Sequence, residues 1–275
     1  NASSPQRLHA PMPALPPMVK HLGTFYGGYL YEAAQHLRPT RRTRPPEKRF
    51  VIFARGRSGT TLLVSLLNRH PLISCDNEIL RRRAARPLRL IRRRMALTET
   101  PIYGFKLLSY QLQSVQTHLA DKRAVLERLV EEGHHIIYVK RRNLLRHALS
   151  NLYARHRKQW HQTDADASAL RMRLDPDDLL HWLNGSAQLE QFEREMLDGL
   201  PHVALAYEDD LRDARHHGAT LRRITTRLGL PPVAPNTSLR KTTPRRLRDI
   251  VTNPDAVRDT IADTPYVHYL DTAFA

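Results

Sequence analysis

Phe50-Val51-Ile52-Phe53-Ala54-Arg55-Gly56-Arg57-Ser58-Gly59-Thr60-Thr61 is the stretch from which the fold can be read. Its first five residues form a short continuous apolar run, as a central parallel strand covered on both faces requires. Leu62, Leu63, Leu66 and Leu67 then recur at helical spacing, so the segment reads strand, tight turn, helix. Open parallel sheets bind ligands outside the carboxyl ends of their strands, where this turn lies. Gly56 and Gly59 let the backbone curl, amides at the helix start face an anion, and Thr60 and Thr61 add hydroxyls. That describes a phosphate cradle or, in the plainer alternative, a glycine turn capping a core helix. Thr60 stands where a G-x-x-x-x-G-K-[ST] loop carries lysine, which leaves Arg57 as the cation inside the loop.

Working outward, residues 103–108, 136–139 and 203–206 read as three more short strands. Helical patterns cover 121–132, 143–153, 177–197 and 211–228, the third after the Asp175-Pro176 start signal. Strands alternating with helices mean βαβ units. The expected fold class is α/β: a three-layer sandwich with a central, mostly parallel sheet flanked by helices, like that of P-loop nucleotide kinases. Residues 1–48 read as a basic, proline-rich lead-in with one short helix over 18–36, and residues 49–275 as the functional domain.

Composition bounds the function. Apolar residues at 41% and charged residues at 26% of 275 exclude disorder and fibrous repeats for most of the chain. The single cysteine, Cys75, excludes an intrachain disulfide and fits a reducing, cytoplasmic compartment; the start at Asn1 leaves a removed anchor or signal open. No apolar run reaches the length of a membrane span. A net charge of +17 attracts polyanions without saying which. The basic residues are spread along the chain with no aromatic-interleaved platform, so no nucleic-acid partner is expected. The His134-His135 and His216-His217 pairs lack partners at metal-ligand spacing; both read as surface, and no metal site is expected.

A second constellation follows the strand at 136–139: Arg142, Arg146 and Ser150, spaced by four, read as one stripe at the start of a helix. Two guanidiniums and a hydroxyl on one face suit a phosphate monoester, or else make a solvated basic face. Taken together, the two motifs resemble those of sulfotransferases that use 3′-phosphoadenosine-5′-phosphosulfate. In that family a [KR]-[ST]-G-T-T loop holds the 5′-phosphosulfate, and an Arg followed eight residues later by Ser holds the 3′-phosphate. Here Arg57-Ser58-Gly59-Thr60-Thr61 and Arg142 with Ser150 are the counterparts. Tyr207-Glu208-Asp209 resembles the family's adenine-side Y-E-D segment. Arg240-Lys241 resembles a late Arg-Lys pair closing over the 3′-phosphate, with Thr242 in place of the usual glycine.

The resemblance implies sulfuryl transfer to a hydroxyl of a saccharide, glycolipid or small molecule, without a metal, releasing 3′,5′-adenosine bisphosphate. A general base must take the acceptor's proton. Where cytosolic members carry histidine, two residues after the lysine matched by Lys106, this chain has Leu108. Bacterial and glycan-modifying members use a glutamate soon after the first helix, which points to Glu78, with His70 in reserve; Glu78 as an exposed carboxylate and His70 as a helix cap are the plainer alternatives. Arg57 and Lys106 would offset charge developing on the bridging and sulfuryl oxygens. The arginine-rich segment 81–94 reads as an amphipathic helix or lid beside the acceptor cleft, or a peripheral membrane contact. A kinase with Glu208 and Asp209 on a metal is the rival reading.

Overall fold

The computed structural model describes residues 17–39, 45–160, 171–237 and 247–270. In chain order the elements are α1 (Pro17–Leu37), β1 (Lys48–Ala54), α2 (Thr60–Leu67), β2 (Ile73–Glu78), α3 (Pro87–Ala96), β3 (Ile102–Leu108), α4 (Arg123–Glu131), β4 (His134–Lys140), α5 (Leu144–Trp160), α6 (Pro176–Leu197), β5 (His202–Ala206), α7 (Ala214–Arg227) and α8 (Pro254–Ala262). Five strands pair in the order β2-β3-β1-β4-β5, every pair parallel, in the arrangement expected of a P-loop-like α/β fold.

β1 is central because it can afford no exposure: Phe50 to Ala54 are all fully buried. Val51 and Phe53 face α3, α4 and the end of α6, meeting Leu90, Ile91, Leu126 and Met196. Phe50, Ile52 and Ala54 face α2 and α7, meeting Leu63, Leu66, Leu221 and Ile224. Each such side chain contributes about 1.5–3 kcal/mol by leaving water. A third cluster joins α5, α6 and α8 through Leu145, Leu149, Leu183 and Ile261. The chain leaves β1 toward β2 on one side, whereas β4 lies on the other, so a crevice opens between the carboxyl ends of β1 and β4.

Two sequence expectations are corrected. β2 was not foreseen as a strand; Ile73 and Cys75 alternate as buried apolar residues, but the period stops at Asp76-Asn77-Glu78 and is too short to read, so its identity comes from pairing with β3. Nor do both histidine pairs lie on the surface: His134 and His217 are buried, with His134 Nδ1 against the Leu129 carbonyl and His217 Nε2 against that of Leu211.

Over Pro87–Ala96 the arginine-rich segment is an amphipathic helix, as one of its readings had it. Leu90, Ile91 and Met95 of α3 are buried, and α3 and α1 cap one another. Glu32 accepts from the backbone N–H groups of Ala85 and Arg86 at the start of α3, at 2.7 and 3.2 Å. Arg93, in the last turn of α3, donates to the Gln35 and His36 carbonyls at the end of α1. Gly28 lets α1 approach closely, since a Cβ there would stand 2.1 Å from the Arg83 carbonyl oxygen.

Candidate functional site

The loop after β1 has the backbone of an anion cradle. Gly59, at φ +81°, is the N-cap of α2, and no side chain caps that terminus, which leaves the first-turn amides directed outward. Arg57, at φ 60°, is the one non-glycine among the described residues with positive φ, a strained conformation held by its surroundings. Ser58 is fully buried and its hydroxyl has no hydrogen-bond partner among the described residues. Tyr207, in a π-helical turn (Tyr207–Leu211) after β5, packs against Gly59 so closely that a Cβ on that glycine would lie 2.7 Å from the ring.

A buried polar network fixes this loop. Arg55 is completely buried, 3.2 Å from Glu193 Oε2 of α6, and donates to the carbonyls of Ser186 and Arg141. Glu193 also accepts from Ser109 and Tyr138 at 2.8 and 2.9 Å, and burial raises its carboxyl above the ordinary value. His147 of α5 places Nε2 2.7 Å from the Gly56 carbonyl and Nδ1 2.8 Å from the Ser186 hydroxyl. Burial, and next the neighbouring Arg55, push His147 down to about 3, so it is neutral at pH 7 and Nε2–H donates to the carbonyl.

Around Tyr207 the guanidiniums crowd. Arg141, at the end of β4, stacks over the Tyr207 ring at 4.8 Å and donates to the Arg57 carbonyl at 3.0 Å. Burial pushes it down to about 10, and Arg146 and Arg57 repel it further. Arg57 and Arg146 are lowered too, first by desolvation of their heads. The Arg57 side chain is open at the mouth, yet its Nε donates to Ser150 Oγ at 3.3 Å. Arg57 and Ser150, assigned by the family pattern to opposite ends of a nucleotide, are therefore neighbours.

Arg142 departs from the expected stripe. α5 begins at Leu144, so Arg142 precedes the helix; it points outward and pairs with Asp209, while its own N–H donates to Glu208 at 3.1 Å. Arg141 turns inward in its place, a role that neighbouring positions in the sequence do not distinguish. Glu208 and Asp209, the carboxylates of the kinase reading, are engaged by the main chain and guanidiniums of Arg141 and Arg142. Arg240 and Lys241 lie outside the described residues.

At the other side of the crevice, Glu78 ends β2. Lys106, 4% exposed in β3, places Nζ 3.1 Å from Glu78 Oε1 and 3.3 Å from Thr61 Oγ1 on the first turn of α2. Tyr110 and Gln111 donate to Glu78 Oε2 at 3.2 and 2.9 Å. A β-bulge makes this possible: Asp76 pairs with Phe105 and Glu78 with the very next residue, Lys106. Asp76 faces α3, where it meets Arg94 and Tyr103; by the two-residue alternation of a strand Glu78 would face the same way, and the extra residue turns it to the α2 side. His70 spends both ring nitrogens on backbone, accepting from Leu72 N–H at 3.2 Å and lying 3.3 Å from the Pro231 carbonyl.

No protein-family model matches the chain, and no curated protein matches it. Among solved structures it is similar to the crystal structure of a sulfotransferase from Alicyclobacillus acidocaldarius, at 16% identity and a TM-score of 0.48, over 84% of this chain and 96% of the other.

Proposed function

We propose that this protein is a sulfotransferase that moves a sulfuryl group from 3′-phosphoadenosine-5′-phosphosulfate to an acceptor hydroxyl. The observation that carries this reading is the convergence of Arg57, Arg141 and Arg146 on Tyr207 beside the open N-terminus of α2. Guanidiniums that burial has stripped of water gain from a multiply charged anion, and a ring stacked by a guanidinium suits the rim of a nucleobase site. The residues fit a bisphosphorylated nucleotide: the Ser58 hydroxyl is buried with no partner among the described residues, and at Gly59 a Cβ would strike the Tyr207 ring. Arg57, Ser58, Gly59, Thr60 and Thr61 would hold the phosphosulfate, Ser150 and the inward-turned Arg141 the 3′-phosphate together with the Arg240 and Lys241 of the family pattern, and Tyr207 the adenine side.

In the transfer, the acceptor oxygen attacks sulfur. The bond from sulfur to the 5′-phosphate oxygen breaks with its electron pair left on that oxygen, and the acceptor's proton goes to Glu78. Tyr110 and Gln111 tether Glu78 Oε2, so Oε1 takes the proton. Lys106, between Glu78 and Thr61, meets the charge that grows on the sulfuryl oxygens.

The first test is calorimetric titration of the full chain with 3′,5′-adenosine bisphosphate. Arg141→Ala should weaken binding about 10- to 100-fold, the worth of one charged hydrogen bond. Glu78→Gln should bind it normally yet slow transfer by about 10²–10⁴. Absence of binding at millimolar bisphosphate overturns the reading.

A further inference from the structure

Next to Glu78, between α1 and the β2–α3 connection, lies a cavity of about 380 Å³ lined by Tyr31, Asp76, Asn77, Glu78, Arg81 and Arg94 among others. Its charges are unequal in availability. Arg94 sends Nε and one terminal nitrogen to Asp76 at 3.0 and 2.9 Å and the other to Gln35 at 3.0 Å. Asp76 in addition accepts from the Tyr103 hydroxyl, and Glu78 is held by Lys106, Tyr110 and Gln111. Elsewhere along the segment Arg82 is spent on the Gly27 carbonyl, Arg83 on His118, Arg92 on Glu132 and Arg93 on α1. Arg86 and Arg89 are exposed without an ion pair among the described residues but lie off the cavity; Arg81, equally exposed and without an ion pair among them, lines it, and it lies near enough to act on the Tyr110 phenol beside Glu78. Tyr31 of α1 also lines the cavity.

We infer that this cavity is the acceptor site and that it selects hydroxyl compounds which also carry a carboxylate, phosphate or sulfate, the anion anchored on Arg81 while the reacting hydroxyl meets Glu78. The inference rests on the sulfuryl-transfer reading and adds the acceptor's charge. A guanidinium whose cavity neighbours are already paired leaves the cavity one positive charge for a ligand to match, and the chain's net charge of +17 draws such ligands in. Tyr31 gives the body of the acceptor an apolar face, so helix α1 supplies part of the specificity.

The test uses the full chain, the sulfuryl donor and pairs in which the anion is masked without adding a hydroxyl: the methyl glycoside of glucuronic acid against its primary amide, 4-hydroxybenzoate against 4-hydroxybenzamide, glycerol 3-phosphate against its dimethyl ester. The charged member of a pair should be sulfated with at least a tenfold higher kcat/KM. Arg81→Ala should erase that preference through KM with kcat nearly unchanged, and Arg81→Lys should restore part of it. Equal or better transfer to the neutral members, or an Arg81→Ala variant with unaltered preference, overturns the inference. So does a protein that binds 3′,5′-adenosine bisphosphate but sulfates none of the charged probes, and in that case the donor reading stands. A protein that does not bind the bisphosphate loses both.

Discussion

At the scale of single residues, the site depends on groups whose neighbours leave them one conformation. Gly59 is held at φ +81° with the Tyr207 ring against it. Alanine there costs about 1–2 kcal/mol for the left-handed backbone and must also displace the ring. Gly59→Ala should therefore lower the melting temperature and remove the stabilisation conferred by 3′,5′-adenosine bisphosphate, both read in one thermal-shift series. The Arg55–Glu193 pair makes a larger demand, since both side chains are wholly buried. Removing one partner strands the other's charge, so Arg55→Met should cost about 3–5 kcal/mol in chemical unfolding. A loss below 1 kcal/mol would mean that the pair does not set the loop. Arg141 shows what a sequence cannot say at this scale. Three basic residues stand in a row at 140–142, and nothing in their order tells which turns inward.

Among the elements, legibility followed burial. β1 and its loop were readable because a strand covered on both faces must be apolar throughout and the turn after it needs glycine. β4 with the start of α5 was readable for the same reason, although the helix starts two residues beyond Arg142 and so breaks the expected stripe. β2 was not, because this edge strand offers only Ile73 and Cys75 to the core and gives its other end to Arg94 and Lys106. Its bulge was invisible too, yet it is what brings Glu78, a residue the family pattern had singled out, onto the α2 side. Deleting Asn77 should remove the bulge yet leave Glu78, now directly after Asp76, on the α2 side opposite Lys106, so transfer should stay within about tenfold of the parent while the bisphosphate still binds. A fall of about 10²–10⁴-fold, as for loss of a general base, would mean that the bulge itself positions Glu78.

For the whole molecule, acid is the sensitive direction. Burial holds His147 and His134 at about 3 and about 4. As pH drops below their ordinary value of about 6.5, the unfolded chain takes up protons that the folded one refuses. The stability these neutral histidines allow is complete above that pH and declines toward 4, by at most about 1.4 kcal/mol per pH unit for each. Glu193, raised by burial, acts in the opposite sense, so the clean comparison is between parent and His147→Gln in urea unfolding at pH 7, 6 and 5. The variant should show the flatter profile; parallel profiles would mean that His147 takes up its proton in the native state.

One feature of the sheet bears on the behaviour of many molecules together. β5 is an outer strand, and Arg223 of α7 reaches across to the Ala204 carbonyl at 2.9 Å while held by Asp210 at 2.7 Å. An approaching polypeptide that sought to extend the sheet would have to evict a guanidinium clamped from behind, so concentrated solutions of this basic protein are guarded against strand-by-strand growth on that flank.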